Sequence, residues 1–171
     1  FAGLDTLSTA KVLAAAIKDG GYEIVFVGQQ GVGGDNSQVP AMLAELLGFA
    51  QTTMVVKFEC DGTTFKAERE IEGAHEFVEG TLPAVISAQK GLNEPRYPGI
   101  KGVMAARRKE IAVKDASALG VKGQVGGDKL QVTIKEMALP PERPQGRKIE
   151  GDPDSAVSEL VNLLRSEAHV L

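Results

Sequence analysis

The chain has 171 residues, 43% hydrophobic and 25% charged, with a net charge of −4 and an isoelectric point near 5.3. Those figures describe a globular domain with a sizeable core and weigh against a nucleic-acid binder, which gathers positive charge. No apolar run approaches the ~18 residues that span a bilayer, and a single cysteine, Cys60, excludes an intrachain disulfide or a cysteine-rich zinc site.

The opening residues, FAGLDTLSTAKVL, carry no basic region ahead of their apolar residues and do not read as a signal peptide. The first residue is Phe1 and the first readable element is already a helix, so the chain reads as the later part of a longer protein. That helix is LDTLSTAKVLAAAIKDGG, with Thr6, Ser8 or Thr9 as its cap. Leu7, Val12 and Leu13 give it an apolar face, and Gly20–Gly21 end it. YEIVFVG is rich in β-branched and aromatic residues and predicts a buried strand. A glycine-rich loop follows, then QVPAMLAELLG, a helix closed by Gly48. Helix, strand, loop and helix are the rhythm of a parallel α/β sheet.

The pattern then changes. QTTMVVKFECDGTTFKAEREIEG predicts two strands joined at Asp61–Gly62, a favoured hairpin pair. HEFVEG and LPAVISAQ supply two more strands, so an antiparallel stretch is added to the parallel part. VMAARRKEI predicts a short helix, and KLQVTIKEM a late strand. LPPERPQGRKIEGDPDS, dense in proline and glycine, predicts an extended linker. The chain ends in a helix, SAVSELVNLLRSEAHVL, with Val157, Leu160, Val161 and Leu164 on one face. Pattern alone leaves open whether that helix packs on its own domain or reaches a partner. The expected fold is therefore α/β: a mainly parallel, Rossmann-like three-layer sheet, an added antiparallel segment and an extended C-terminal arm. Residues 1–139 form the α/β domain and 140–171 the linker and helix.

In the glycine-rich loop, Gly28, Gly31, Gly33 and Gly34 follow a strand, Asp35, Asn36 and Ser37 are good helix caps, and Pro40 suits a first helical turn. Glycines let the backbone approach a ligand closely, and the free N–H groups of a helix start attract an anion. The loop is not a Walker loop, because it lacks Gly-Lys-Ser/Thr. Nor is it the dinucleotide fingerprint, because Asn36 stands where the third glycine belongs. A tight strand-to-helix turn that binds nothing fits the same residues. Asp35 opposes a phosphate unless its carboxylate points away.

KAEREIEG places Glu68, Glu70 and Glu72 at period two, on one face of a strand, which reads as a solvated face or as paired acid–base carboxylates. His75 and His169 lack any nearby motif and read as surface or packing residues. Positive charge gathers elsewhere. Lys101, Arg107, Arg108, Lys109 and Lys114 face a single acid, Glu110, so this stretch carries +4 and the remainder of the chain −8.

AEREIEG followed by LPAVISAQKGLNEPRYPGIKGVMAARRKEI resembles the beta subunit of electron transfer flavoprotein. The order is an Ala-Glu-Arg-Glu-Ile strand, a Leu-Pro-Ala-Val strand, Leu-Asn-Glu-Pro-Arg-Tyr, and a Met-Ala run into basic residues. The likeness extends from about Asp5 to the terminal helix. The family starts earlier, so this chain is expected to lack roughly the first third, including the amino-terminal half of the nucleotide pocket.

The resemblance implies an electron carrier subunit, not an enzyme, with neither catalytic nor metal-binding residues of its own. It is half of a heterodimer whose alpha subunit holds the catalytic FAD, and it carries electrons from flavin dehydrogenases to a quinone reductase or similar acceptor. It implies bound AMP, or a second FAD in electron-bifurcating members, at Gly28, Gly33, Gly34, Asp35, Asn36, Gln38 and Val39. Two glycines, Gly33 and Gly34, stand where acids are usual, and Val39–Pro40 where Thr-Gly or Val-Gly is common; this leaves AMP and FAD both open. It implies that Glu70 meets an arginine of the flavin domain and that the terminal helix embraces the alpha subunit. It implies a docking loop with Ile100 as apolar anchor, stiffened by Pro95 and Pro98, and with Arg96, Tyr97, Met104, Arg107 and Arg108 around it. Cytoplasm of a bacterium or archaeon, or the mitochondrial matrix, is the implied location, without nucleic acid or direct membrane insertion. The residues themselves also allow an adenine-nucleotide-binding α/β enzyme that hydrolyses ATP or transfers from it. Against that, the loop has no lysine for a γ-phosphate and the chain no magnesium motif.

Overall fold

The computed structural model describes residues 1–143 and 145–171; Pro144, in the expected linker, lies outside the described residues. The chain divides into two compact units, Phe1–Thr133 and Ile134–Leu171.

In the first unit, helix α1 (Thr6–Ile17) is capped by Asp5, whose carboxylate accepts the Ser8 N–H at 2.8 Å. The expected caps Thr6, Ser8 and Thr9 all fall inside the helix, because a short acid one residue earlier reaches the free N–H groups. Its buried residues are small, Ser8, Ala10 and Ala14, the last two four apart on one face, while Leu7 and Val12 are only half-buried. Strand β1 (Ile24–Gly28) leads into the glycine loop, and helix α2 (Val39–Leu47) follows it. Gly48, at φ 68°, closes α2, since the left-handed region suits glycine. Asp35, Asn36 and Ser37 do not cap α2: its N-cap is Gln38, which makes no side-chain capping bond. Asp35 and Ser37 bond Gln30 instead.

Three strands build the hairpins: β2 (Ala50–Cys60), β3 (Thr64–Ile71) and β4 (Ala74–Thr81). Strand β5 (Ala84–Ala88) completes a five-stranded sheet of order β1-β5-β2-β3-β4. The β5 segment, expected in the antiparallel addition, instead lies centrally and parallel to both β1 and β2. The reason is its composition. Ala84, Val85, Ile86 and Ser87 are all buried, and a strand covered on both faces belongs in the parallel core. Strand β2 serves both halves, parallel to β5 and antiparallel to β3. Among the described residues β1 is an edge strand, so the expected burial is incomplete and Phe26 is 52% exposed.

The turns obey local chemistry. The Asp61 carboxylate accepts the N–H groups of Thr63 and Thr64 at 2.8 and 2.7 Å and the Thr64 hydroxyl at 2.8 Å, fixing the β2–β3 turn. Glu72 and Gly73 form the two-residue turn between β3 and β4, with Gly73 at φ 72°. Glu72 is thus off the strand and does not share a face with Glu68 and Glu70.

Side chains on the two sheet faces form two cores. One contains Val55, Phe65, Ala67, Ala84 and Ile86; the other joins Val85 to Leu43 and Ala44 of α2 and Ala14 of α1. A break in register between Thr52 and Val55 puts Met54 at φ 60°. Arg69 fills this bulge. Its Nε donates to the Thr53 carbonyl at 3.0 Å, Nη2 to the Thr53 hydroxyl at 3.2 Å and Nη1 to Glu76 at 3.0 Å.

Helix α3 (Ile100–Arg107) begins three residues before the expected Val103. The expected strand Lys129–Met137 does not form: a short 3₁₀ turn (Gly127–Lys129) precedes it, and no strand pairs with it among the described residues. Its alternating Val132 and Ile134 are 63% and 75% exposed. Apolar alternation without a neighbouring ladder does not make a strand. No helix among the described residues is long and apolar enough to cross a membrane.

The second unit contains helix α4 (Pro153–Ser166), whose N-cap Asp152 accepts the Ser155 N–H at 3.1 Å. Arg147 lies 3.5 Å from Glu159 and 3.6 Å from Glu167, tying the linker to the helix. Of the expected apolar face, Val161 and Leu164 are half-buried, whereas Val157 and Leu160 are 59% and 45% exposed.

Candidate functional site

Strand β1 ends at Gly28 and α2 begins at Val39, and the loop between them opens into a cleft of about 440 Å³. That volume falls in the roughly 300–1,000 Å³ range of small-ligand sites. Gly28, Gly34, Asp35, Asn36, Gln38 and Val39 line it, together with Thr6, Gln30, Ser37 and Pro40. Gly33 does not line it; its φ of 93° turns the chain. A Cβ at Gly28, Gly31 or Gly34 would meet nothing within 4 Å, so at these positions the glycines leave space open rather than serve internal packing.

The polarity of the cleft follows from three hydrogen bonds. The Ser37 hydroxyl donates to Gln30 Oε1 at 2.6 Å, Gln30 Nε2 donates to Asp35 Oδ1 at 3.2 Å, and the Thr6 hydroxyl donates to Gln38 Oε1 at 2.9 Å. Two of these acceptor oxygens are therefore engaged within the loop and the third by the start of α1. Donors stay available to a ligand: the amides of Gln38 and Asn36 and the Val39 and Ala41 N–H groups of the first turn of α2, in which Pro40 has none. These donors fit a phosphate, so the donor set is compatible with an adenine nucleotide, with the Asp35 carboxylate as the group in the cleft that opposes it. Sequence reasoning missed Gln30 and Thr6. Thr6 reads as a helix cap, and no spacing marks a glutamine two residues beyond a strand as a brace.

The proline-rich segment follows β5, the strand whose Ala88 pairs with Gly28 of β1, so it leaves the sheet at the end where the glycine loop lies. Tyr97 is 99% and Ile100 84% exposed, and Met104 is 48% exposed. Arg96, Arg107 and Arg108 are exposed as well, and α3 has no buried residue. None of the ion pairs among the described residues involves Arg96, Lys101, Arg107, Arg108 or Lys109. Apolar side chains and uncompensated cations thus stand together on α3 and the segments flanking it.

Glu70 is exposed on β3, opposite His75 of β4. Its neighbour on the same face, Glu68, is not simply solvated: Lys57 Nζ and His75 Nδ1 each lie 2.6 Å from its carboxylate, and its side chain is 12% exposed. Hydrogen bonds from Lys57 and then His75 hold Glu68 below the usual glutamate range. His75 is thereby a partner of Glu68, a contact that sequence spacing did not suggest. His169 Nδ1 lies 3.1 Å from the Arg165 carbonyl at the end of α4.

Comparison with known proteins gives these features a context. The family described as Electron transfer flavoprotein domain matches residues 1–119. The electron transfer flavoprotein subunit beta of Bacillus subtilis is 39% identical over 167 residues, covering 98% of this chain and 64% of that protein. The subunit beta of Thermoanaerobacterium thermosaccharolyticum is 38% identical over 173 residues, covering 100% and 66%. That of Clostridium acetobutylicum is 35% identical over 171 residues, covering 99% and 66%. The chain spans about two thirds of the length of these relatives. A family match over residues 1–119, with relatives 35–39% identical across 98–100% of the chain, places it in the electron transfer flavoprotein beta-subunit family.

Proposed function

We propose that this chain works as the beta subunit of a heterodimeric electron transfer flavoprotein. The cleft beside α2 takes AMP, or a second FAD, through backbone N–H groups at Gly28 and Gly34 and through Asp35, Asn36, Gln38 and Val39. The alpha subunit holds the FAD that supplies the redox chemistry when bound. The residues of this chain bind, brace and orient: Glu70 meets the flavin domain, the arm from residue 140 onward embraces the alpha subunit, and the α3 region docks flavin dehydrogenases. Electrons leave to a quinone reductase or similar acceptor.

The single observation that carries the docking role is that α3 buries none of its residues while Ile100 at its start is 84% exposed. An aliphatic side chain on a stiff, proline-flanked loop loses little entropy on entering a pocket. The arginines at Arg107 and Arg108 steer acidic surfaces to it. Ile100→Ala in the complex with the alpha subunit is the test. Docking to a dehydrogenase is expected to weaken about tenfold, seen as a raised KM for the complex as electron acceptor, with flavin content and thermal stability unchanged. Equal KM values for mutant and wild type would remove Ile100 from that role.

A further inference from the structure

An acid in an anion-binding loop is a contradiction that the loop must resolve. Asp35 lines the cleft, so its carboxylate shares that space with any phosphate bound there. Its backbone sits at φ 45°, and two residues on Ser37 sits at φ 51°, both in the left-handed region that non-glycine residues rarely adopt. Such conformations persist only where surrounding groups over-determine them. Here the group is one carboxamide. Gln30 accepts from the Ser37 hydroxyl at 2.6 Å and donates to the Asp35 carboxylate at 3.2 Å, so a single side chain spans both strained residues. The Asp35 N–H also donates to the Gly31 carbonyl at 3.0 Å, which fixes the turn but not the carboxylate.

We propose that Gln30 is a positioning residue for the nucleotide site: its carboxamide ties the Asp35 carboxylate into the loop and holds the negative charge off the phosphate. This rests on the nucleotide reading given above and adds to it the residue that sets the site's electrostatics. A carboxamide suits the task because it is donor and acceptor at once and adds no charge. Glutamate has the same shape. It keeps an acceptor for Ser37, loses the donor for Asp35, and sets two carboxylates against each other. Asparagine at 35 would restore a donor–acceptor pair in the opposite sense.

The experiment compares AMP and adenosine binding by calorimetry, using the nucleotide-stripped complex with the alpha subunit. Gln30→Glu is expected to lower AMP affinity about five- to tenfold while adenosine, which has no phosphate, binds as before. Gln30→Glu combined with Asp35→Asn is expected to restore AMP affinity. Unchanged AMP affinity in Gln30→Glu would overturn the role of Gln30 while leaving the nucleotide site standing. Equal losses for AMP and adenosine, without rescue by Asp35→Asn, would reduce Gln30 to a general support of the loop and overturn it too. Failure of the wild-type complex to bind AMP at all would overturn the nucleotide reading itself, and this inference with it.

Discussion

Gly80→Ala isolates a packing relation that holds the antiparallel half of the sheet. Gly80 of β4 pairs with Phe65 of β3. A Cβ at Gly80 would lie 2.5 Å from Phe65 Cζ and 2.6 Å from Cε1, against 3.4–4 Å for an ordinary contact. Phe65 is 2% exposed, in a core with Val55, Ala67, Ala84 and Ile86, and stacks on Phe58 at a centroid distance of 5.8 Å. The ring must therefore move by nearly an ångström into a filled core, or β4 must lift off β3. Overpacking of this kind costs about 1–3 kcal/mol. For a chain of this size each kcal/mol lowers Tm by about 2–4 °C. Urea unfolding should show a lower midpoint with unchanged slope. Phe65→Leu alone should also destabilise, by loss of buried area, yet the double mutant should be more stable than the sum of the two single effects predicts, with a coupling of about 0.5–3 kcal/mol. A stable Gly80→Ala protein, or strictly additive effects in the double mutant, would refute the argument that Phe65 occupies the space above Gly80.

Two further expectations concern polar contacts. Arg69→Lys should loosen the β2 bulge, because an ammonium cannot reproduce the fork that meets the Thr53 carbonyl, the Thr53 hydroxyl and Glu76 together. Faster amide hydrogen exchange at Thr53–Val55, with no change at α2, is the readout, and equal protection would count against it. The carboxylates of Asp5 and Asp61 are depressed from 3.8 to about 2, Asp5 chiefly by the Ser8 side-chain and backbone hydrogen bonds and Asp61 chiefly by the Thr64 and Thr63 N–H groups. A depressed carboxylate stabilises the fold fully above its unfolded-state value and loses that contribution as pH falls toward the folded-state value. Tm should therefore be flat above the ordinary aspartate range and fall as pH drops from near 3.8 toward 2. Asp61→Ala should lower Tm at neutral pH and flatten the acid limb; an acid limb as steep as that of wild type would exclude Asp61 as a contributor.

What was legible in the sequence had a local cause. Asp61–Gly62 announces its hairpin, Gly48 its helix end, and the β-branched run before Gly28 its strand, because each signal is carried by a residue's own backbone preference or by period-two alternation. Partner choice was not legible in the same way. LPAVISAQ and KLQVTIKEM both look like strands. The first becomes the buried centre of the sheet and the second pairs with no strand among the described residues, because pairing depends on which edges lie nearby, and alternation does not encode that. Phe65 over Gly80 is hidden for the same reason: the glycine reads as the end of HEFVEG, whereas it is a strand residue whose missing side chain is supplied by its neighbour.

The candidate site divides along the same line. Glycines before a helix suggest an anion from sequence, because open backbone and free N–H groups are properties of residue type and order. Whether the loop's own acid spoils that site is decided by side-chain direction, and direction is set by contacts between residues five and seven apart in an irregular loop, Gln30 with Asp35 and Ser37. No helical or strand period links those positions, so composition shows Asp35 as an obstacle while geometry shows one of its carboxylate oxygens bonded to Gln30. The exposed helix poses the opposite problem. Its apolar and basic residues are plain in the sequence, but the same residues would describe an ordinary helix packed on a core. It is their shared exposure, with Ile100 and Tyr97 at the tip and no acid of the chain paired to Arg107 or Arg108 among the described residues, that makes a partner the physically economical explanation for keeping them together.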